Sequence, residues 1–527
     1  MQAQASGRVH GDGSGHEGDP DTAVAGLTPP GNAPPMDRAG PLARPSRMHR
    51  RHALAAICSG AALPLLPGCA ASGSAPTATA PAAAPAGRVL RAGVHTTAAA
   101  GQAQLPVWAY DGQTPGPVLR LRRGEVLDLA LHNALPDPTT IHWHGVRVPN
   151  AMDGVPHLTQ PPVAPGETFR YRFALPDAGT YWYHPHWGTP EQVERGLAGA
   201  LVVEDDAPPP VDRDEVWLLD DWRLDGHGRI AEDFYGFHDV SHAGRLGQRL
   251  TVNGQVEPTL ALQAGQRLRL RLVNAANARI FALELAGLPA WLIARDGMPA
   301  EEAVAWDGPL LLGPGMRADL IVDAAQAGRF TLRDRFGRGE RVLAHVTVDG
   351  TPPGGAARPA PRPATHDPLP APALADALAQ PLVFGGGMMG MGGWPDDPLT
   401  ERAARKQRRL GGSREADPVW SVNGHAHMGR HDAHPPLFRV PRGRTVRLQM
   451  ANRTAWWHPI HVHGHHVKLL SRNGQALSVQ PWRDTVLLSP RDTAEVAFVA
   501  DNPGRWLVHC HVLEHHAGGM GAMFEVT

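Results

Sequence analysis

Apolar and polar residues alternate along short stretches of this chain, and one arrangement of such stretches occurs three times. In residues 108–133, 250–277 and 420–453, a turn with Gly and Pro leads into alternating apolar residues, a second Gly, a further alternating stretch and an Asn. Alternation with a period of two is typical of half-buried β-strands. Each copy therefore predicts short strands joined by tight turns.

A second element follows each copy. In residues 177–186, 326–335 and 502–511, a turn Gly precedes a strand of aromatic and β-branched residues. Many short strands with regular turn signals, repeated three times, indicate an all-β chain with three β-sandwich or Greek-key barrel domains in series.

Proline-rich runs divide the repeats. Residues 205–214 and 350–372 have the composition of linkers. We therefore predict domain one at 88–206, domain two at 213–349, a Pro-rich linker at 350–380 and domain three at 381–527.

The N-terminal residues predict targeting. We interpret residues 1–47, which have low complexity, as an extension that translation from Met48 would omit. Residues 48–69 begin with a basic region containing Arg50 and Arg51, continue with an apolar run too short to span a bilayer, and end in small residues. This segment is similar to a twin-arginine export signal.

Export leaves two outcomes open. The letters "LPGC" ending at Cys69 resemble a bacterial lipobox, which would place a lipid anchor on that cysteine and tether the protein to a membrane. Without lipidation the protein would be free in the periplasm. Residues 70–87 form a linker in both cases, and we expect a location in the periplasm or cell envelope.

Charge and composition limit the kinds of binding partner that the chain can have. Lys plus Arg number 50 and Asp plus Glu 51, which leaves no basic field for nucleic acid and no polybasic surface for anionic lipid. We expect a monomer whose partners are small molecules or metals. Of three cysteines, Cys58 and Cys69 fall in the export signal, so Cys510 is the single cysteine of the predicted domains and no disulfide is expected there.

The 29 histidines stand out, and their spacing shows which of them matter. Four His-x-His pairs occur at corresponding places in the first and third repeats, whereas the middle repeat has "FALELAG" and "TLRDRF" there. A single pair would be read as ordinary strand histidines. On a strand both imidazoles of a pair share one face, so four pairs predict several transition-metal ions at the interface between the first and third domains. The pairs are His142 and His144, His184 and His186, His461 and His463, and His509 and His511.

The same alternation separates Cys510 from its two neighbours. If His509 and His511 face the domain interface, Cys510 faces the core of its own domain. Two histidines, one cysteine and a weak axial methionine make the ligand set of a blue-copper site, and His458, His515 and Met520 complete that set. The alternative is a buried inert thiol with a methionine that packs in the core.

Together the blocks "HWHG", "YWYHPH", "HPIHVHGH" and "HCHVLEHHAGGM" resemble the multicopper oxidase family, in particular three-domain bacterial laccases and cuprous oxidases. The resemblance extends from about residue 88 to the last residue and implies cupredoxin-like domains and four copper ions. It assigns His458, Cys510, His515 and Met520 to the type 1 copper; His142 and His461 to the type 2 copper; and His144, His184, His186, His463, His509 and His511 to the paired type 3 coppers.

The resemblance also implies an activity. The type 1 site would take single electrons from a donor and pass them through Cys510 to His509 and His511, and the three-copper cluster would reduce O2 to water. Asp153 in "AMDGVP" and Glu514 in "HVLEHH" are candidate proton donors. Their alternatives are a turn-stabilising Asp and a solvated Glu. The next residue, His516, stands where some bacterial relatives carry an acid.

The electron donor is the open question. Met388, Met389 and Met391 lie in "FGGGMMGMGGWPDD", and clustered thioethers are soft ligands suited to Cu(I). The alternative is a Gly-rich segment whose methionines pack on domain three. A second cluster of soft ligands is expected to be exposed, and its interpretation is equally undecided. It consists of His425, His427, Met428, His431 and His434.

Two classes of function follow. The first is an oxidase that takes electrons from a phenol, an amine or Cu(I) and gives them to O2. The second is a copper-sequestering resistance protein of the same fold with little turnover. A copper nitrite reductase would have fewer cluster histidines than the six that match type 3 ligands here.

Overall fold

A computed structural model describes residues 87–351, 358–363, 369–389, 416–429 and 431–527. The predicted extension 1–47, the export signal 48–69 with Cys69, nearly all of the linker 70–87 and Met391 lie outside these residues. In the part of the chain that is described, no helix has the length and apolar character needed to cross a membrane.

The first unit consists of two four-stranded sheets, ordered β2-β1-β4-β6 and β3-β8-β7-β5. Its strands are β1 Arg88–Ala99, β2 Gln102–Tyr110, β3 Gly116–Arg122, β4 Val126–Ala134, β5 His142–His144, β6 Thr168–Ala174, β7 Gly179–His184 and β8 Gly199–Glu204.

The middle unit pairs a six-stranded sheet, β10-β9-β12-β17-β14-β15, with a five-stranded sheet, β11-β19-β18-β13-β16. Its strands are β9 Arg213–Trp222, β10 Arg249–Val252, β11 Thr259–Gln263, β12 Arg267–Asn274, β13 Phe281–Leu285, β14 Ala290–Arg295, β15 Met298–Ala305, β16 Leu310–Leu312, β17 Arg317–Asp323, β18 Gly328–Asp334 and β19 Arg341–Asp349.

The third unit pairs a seven-stranded sheet, β21-β20-β23-β29-β25-β26 with β27 beside β25, with a five-stranded sheet, β22-β31-β30-β24-β28. Its strands are β20 Leu378–Gly386, β21 Trp420–Val422, β22 Arg439–Val440, β23 Thr445–Asn452, β24 His458–Val462, β25 Val467–Arg472, β26 Gln475–Ala476, β27 Trp482–Arg483, β28 Thr485–Leu488, β29 Thr493–Val499, β30 Gly504–Cys510 and β31 Gly521–Val526.

Helices are short and lie in the connections between strands. The α-helices of the described residues are α1 Thr189–Glu194, α2 Phe237–Ser241 and α3 Leu513–Ala517, and the 3₁₀ helices are η1 Asn150–Met152, η2 Leu374–Asp376 and η3 His431–Ala433.

The three units share one strand arrangement. In each, the first strand runs parallel to a later strand of its sheet, as in β1 with β4, β9 with β12 and β20 with β23. The second sheet repeats this with β3 and β8, β11 and β19, and β22 and β31. The prediction of three consecutive all-β sandwich units is confirmed. The domain boundaries drawn from the Pro-rich runs remain predictions, and β20 begins at Leu378, before the predicted boundary at 381.

Each sheet pair encloses its own apolar core because one face of every strand supplies apolar side chains. Trp143 and Tyr181 lie in the core of the first unit, Leu270 and Phe281 in that of the middle unit, and Cys510 in that of the third. Each of these five side chains is fully buried.

Strand β12, with the sequence "RLRLRLVN", is buried along its whole length. Its arginines Arg267, Arg269 and Arg271 are only 5%, 6% and 2% exposed. They form ion pairs with Asp323, Asp319 and Asp214 at 2.6, 2.6 and 2.7 Å, and Arg271 also donates to Thr180 Oγ1 of the first unit at 2.9 Å. Buried guanidinium groups are tolerated where each one is paired. The ion pairs lie within the middle unit, and the hydrogen bond from Arg271 to Thr180 links that unit to the first.

Candidate metal centre

Strand pairing brings the predicted His-x-His pairs together. In the first unit His142 on β5 lies opposite His184 on β7. In the third unit His461 on β24 lies opposite His509 on β30. The pairs meet in one buried group, the eight-histidine cluster, in which no side chain is more than 4% exposed. Its members are His142, His144, His184, His186, His461, His463, His509 and His511.

Within the cluster, three sets of three histidines have ligand atoms that lie within 4.8 Å of one another, and His144 belongs to two of these sets. Each set combines histidines of the first and third units, so neither unit alone holds a complete set. The sets are His142, His144 and His461; His144, His184 and His511; and His186, His463 and His509.

Hydrogen bonds orient five of the eight rings. In each of these the Nδ1–H group donates to an oxygen, which leaves Nε2 as the ring nitrogen with a free lone pair. The acceptors hold each ring at a fixed angle, as partners of metal-binding histidines do. The bonds are His142 to the Asp153 carbonyl (2.8 Å), His184 to the Pro185 carbonyl (2.9 Å), His461 to the Asp484 carbonyl (2.9 Å), His463 to Asp153 Oδ2 (2.9 Å) and His509 to the Cys510 carbonyl (2.8 Å).

His144 presents the opposite nitrogen. Its Nε2 lies 3.2 Å from Thr485 Oγ1 and 3.3 Å from Asp484 Oδ1, so Nδ1 is the nitrogen available to a ligand. Within the described residues neither ring nitrogen of His186 or His511 has a hydrogen-bond partner.

The imidazole nitrogens that lack a hydrogen-bond partner indicate whether a metal ion fits the cluster. Nε2 of His142, His184 and His461 and Nδ1 of His144 are buried without a hydrogen-bond partner among the described residues. Unpaired buried polar atoms are costly, and borderline transition metals are the usual partners of neutral imidazole. The residues therefore fit copper ions at the centre of the cluster.

Burial disfavours a positive charge on seven of these imidazoles. It lowers the pKa of seven of the eight rings below its usual value, and the neighbouring imidazoles lower it further. A neutral imidazole has the lone pair that a metal requires. The seven are His144, His184, His186, His461, His463, His509 and His511.

A second site surrounds Cys510 in the core of the third unit. Cys510 Sγ lies 3.4 Å from His458 Nδ1 and 3.6 Å from His515 Nδ1, and the two nitrogens are 3.0 Å apart. Met520 is fully buried, and its carbonyl accepts a hydrogen bond from the Cys510 N–H at 3.0 Å. Burial raises the pKa of the Cys510 thiol, so a cation is needed at this position to hold the thiolate.

The two histidines beside Cys510 belong to different sets of the eight-histidine cluster. His509 lies with His186 and His463, and His511 lies with His144 and His184. One cysteine is therefore covalently adjacent to a member of each of these two sets.

Of the two candidate acids, Asp153 contacts cluster histidines and Glu514 is hydrogen-bonded to the middle unit. Both are only 1% exposed, so Glu514 is not the solvated side chain of the alternative interpretation. Glu514 accepts hydrogen bonds from the Arg245 N–H (3.1 Å) and from Asn277 Nδ2 (2.9 Å) of the middle unit. Burial raises the pKa of Glu514 to about 7.

Met388 and Met389 lie close to the outer edge of the cysteine site. They are 38% and 58% exposed. The Met388 N–H donates to the Ser241 carbonyl at 2.8 Å, next to His242, whose own carbonyl accepts a hydrogen bond from His515 Nε2 at 2.6 Å.

The second soft cluster is only partly exposed. His425 is exposed, whereas His427 and His431 are 5% and 7% exposed, which corrects the expectation of an exposed cluster. The ring centre of His427 lies 4.2 Å from that of His434 and 5.0 Å from that of His431. Met428 is half-buried.

Several residues of the centre were not found from the sequence. Asp484 and Thr485 touch the rings of His144 and His461, and Gly315 of the middle unit packs against His144 and His511. None of them belongs to a spaced His or Cys motif. The available signal was the polar triplet "RDT" inside the apolar run "WRDTVLL".

Comparisons with known proteins agree with this geometry. Family models described as multicopper oxidase match residues 92–208, 213–349 and 405–527. The chain is similar to multicopper oxidase MmcO of Mycobacterium tuberculosis, at 31% identity over 79% of this chain and 82% of that protein. It is also similar to a copper resistance protein A homolog of Pseudomonas syringae (26%, 78% of this chain, 87% of that protein) and to a laccase of Cryphonectria parasitica (26%, 79%, 78%). Among solved structures, a multi-copper oxidase of Pseudomonas thermotolerans matches with a TM-score of 0.69 and 34% identity, over 84% of this chain and 100% of that one.

Proposed function

This chain belongs to the multicopper oxidase family, and from that premise we propose a role for each part of its two sites. It is a copper-dependent oxidoreductase that couples oxidation of a reducing substrate to the reduction of O2 to water. The observation that carries the proposal is the pairing of a cysteine site with an eight-histidine cluster through adjacent residues of one strand.

We propose four copper ions. Bound copper supplies one-electron redox chemistry and a place for O2 to react. The type 1 ligands are His458, Cys510, His515 and Met520, supported by the short distances from Cys510 Sγ to both Nδ1 atoms. The type 2 ligands are His142 and His461. The type 3 ligands are His144, His184 and His511 for one ion and His186, His463 and His509 for the other, as the three sets of ligand atoms support.

The residues between the sites carry electrons. With copper bound, His515 would lie on the side where electrons enter, and Cys510 with its neighbours His509 and His511 would provide the covalent route to the cluster. Because the cysteine and both histidines are on one continuous backbone segment, this path needs no gap through space.

Asp153 is the proposed proton donor at the cluster. Its carboxylate accepts a hydrogen bond from His463, and its carbonyl accepts one from His142. Asp153 therefore orients two imidazoles of the cluster and is placed to supply protons for the reduction of O2. Glu514 is the second proposed donor, supported by its burial and raised pKa, although its carboxyl faces the middle unit.

The donor is proposed to approach where the His242 carbonyl contacts His515, beside the hydrogen bond of Met388 to Ser241. A phenol or amine would use the apolar surface there, including Trp456, whose Nε1 donates to the Met388 carbonyl at 2.8 Å. Cu(I) would use thioethers as soft ligands. Those of Met388 and Met389 are exposed, and Met391 belongs to the same sequence segment.

Oxygen uptake tests the function. Purified, copper-loaded protein should consume one O2 for every four electrons taken from a phenol, in parallel with water formation. A protein that binds copper but consumes no O2 with phenol, amine or Cu(I) would instead be a copper-sequestering protein. The complete set of ligands does not favour that alternative.

A triple variant tests the donor. Met388, Met389 and Met391 are replaced by Leu, which keeps side-chain size and removes sulfur. If Cu(I) is a substrate, the Cu(I) rate should fall while the phenol rate is unchanged. Equal rates of Cu(I) oxidation in variant and unmodified protein would exclude these methionines as the Cu(I) site.

We also propose export through residues 48–69, supported by their basic and apolar pattern, to the periplasm or cell envelope. Mass spectrometry of the mature N-terminus distinguishes the two outcomes. A lipid-modified Cys69 at the N-terminus would identify a tethered protein, and an unmodified N-terminus would identify a free one.

A further inference from the structure

We propose that Arg317, from the middle unit that supplies no metal ligand, is a positioning residue for the O2-reducing cluster. It fixes Asp484, and through Asp484 it sets the orientation of the His461 and His144 imidazoles. The proposal rests on the ligand roles given above.

Arg317 is the first residue of β17 and is fully buried. Its Nη1 and Nη2 donate to Asp484 Oδ1 and Oδ2 at 2.8 and 2.5 Å, a two-point contact between planar groups. Nε donates to the Thr180 carbonyl of the first unit at 3.1 Å, and Nη1 to the Gly315 carbonyl of its own unit at 3.0 Å. One guanidinium therefore contacts all three units.

Asp484 transmits this constraint to the cluster. Its carbonyl accepts the Nδ1–H of His461 at 2.9 Å, and its Oδ1 lies 3.3 Å from His144 Nε2. Thr485 Oγ1 donates to Asp484 Oδ1 at 2.8 Å and lies 3.2 Å from the same His144 nitrogen. Because Asp484 faces different nitrogens of the two rings, it determines that His461 offers Nε2 and His144 offers Nδ1 to a metal.

Two glycines reserve the space for this arrangement. A Cβ on Gly145, the glycine of "HWHG", would lie 2.3 Å from Arg317 Nη2 and 2.3 Å from Asp484 Oδ2. A Cβ on Gly315 would lie 2.9 Å from His144 Cε1 and 2.9 Å from His511 Cδ2. Both residues have a positive φ, +84° and +81°, which favours glycine. The middle unit thus packs directly against the cluster where Arg317 enters it.

If Arg317 had a purely structural role, it would only hold the units together. Arg271 is the residue with which this alternative can be compared. Arg271 is 2% exposed, pairs with Asp214 at 2.7 Å, and reaches Thr180 Oγ1 of the first unit at 2.9 Å. No contact of Arg271 with a cluster imidazole appears among the described residues. It is therefore a matched control for burial and charge at a unit interface.

The test compares the copper-loaded full chain with Arg317→Gln, Arg317→Lys and Arg271→Gln. We expect Arg317→Gln to lower O2 reduction by roughly 10- to 100-fold, the usual effect of losing a partner that orients a metal ligand. The electron paramagnetic resonance spectrum of the type 2 copper should change, while the rate of type 1 reduction by the donor should not. Arg271→Gln should lower the thermal midpoint but leave the type 2 spectrum as in the unmodified protein.

Arg317→Lys keeps the charge but makes only a one-point contact, so the type 2 spectrum and the rate should be partly restored. If Arg317→Gln does not fold, Arg317→Lys still shows whether Arg317 orients the cluster imidazoles. The proposal would be overturned if a folded Arg317 variant had the same type 2 spectrum and rate of O2 reduction as the unmodified protein. It would also be overturned if Arg271→Gln showed the same spectral change as Arg317→Gln. Failure of the proposed function is distinct, because the unmodified protein would then bind copper but take up no O2 with phenol, amine or Cu(I).

Discussion

The carboxylate of Asp153 accepts a hydrogen bond from His463 Nδ1 at 2.9 Å across 310 residues of chain. The same residue accepts the Nδ1–H of His142 through its carbonyl at 2.8 Å. A turn in the first unit therefore orients one imidazole from its own unit and one from the third unit.

Replacing Asp153 should affect O2 reduction at the histidine cluster without affecting electron uptake at the Cys510 site. Asp153→Ala removes the acceptor of His463 Nδ1, so O2 reduction should fall by roughly 10- to 100-fold. Reduction of the type 1 site under anaerobic conditions should keep its rate, because the Cys510 site is untouched. Asp153→Asn keeps an acceptor oxygen and shows how much of the loss comes from the missing charge. Unchanged O2 uptake in Asp153→Ala would contradict the role given to this residue.

Cys510→Ser should remove the blue colour and donor oxidation while leaving the eight-histidine cluster able to bind copper. Serine is nearly the same size as cysteine, but its oxygen does not replace a thiolate as a soft ligand. Visible absorption, copper content and donor oxidation are measured on the same sample. Continued turnover by the serine variant would show that electrons enter the cluster by another route.

Gly154, the residue after Asp153, should tolerate no side chain. A Cβ there would lie 1.8 Å from the Ile141 carbonyl oxygen, and φ is +81°. Gly124 has φ +82° with no atom within 4 Å of its Cβ position, so it isolates the backbone cost alone. Gly124→Ala should cost about 1–2 kcal/mol, and Gly154→Ala clearly more, because the backbone itself must move. Urea unfolding of both variants checks the order, and equal midpoints would contradict it.

Glu194 should make stability depend on pH. Burial raises its pKa from 4.5 to about 8, so the folded state holds a proton that the unfolded state releases. This contribution is fully present below about pH 4.5 and is lost as the pH rises to about 8. The slope is at most about 1.4 kcal/mol per pH unit.

Glu194→Gln cannot titrate and serves as the comparison. The stability of the unmodified protein relative to this variant should decrease from pH 5 to pH 8, measured by urea midpoints in matched buffers. Parallel curves for the two proteins across that range would show that Glu194 does not hold a proton in the folded state.

The histidines and the cysteine that meet at the two sites were predictable because their signal is local. Strand alternation places His509 and His511 on one side and Cys510 on the other, and no knowledge of the rest of the chain is needed. Asp484 and Arg317 were not predictable in this way, since their contacts join residues that are 167 positions apart. In β12, alternation predicts the strand but not that its Arg271 donates a hydrogen bond to Thr180 of the first unit.

The division of the cluster between the first and third units has a consequence for biosynthesis. While the chain is being made, His142, His144, His184 and His186 exist before any of their partners in the third unit, and every set of three requires both units. A half-made chain offers two histidines to each of two sets and a single histidine to the third. Stable copper loading therefore has to wait until the third unit has folded against the first, which makes the reactive centre one of the last parts of the protein to form.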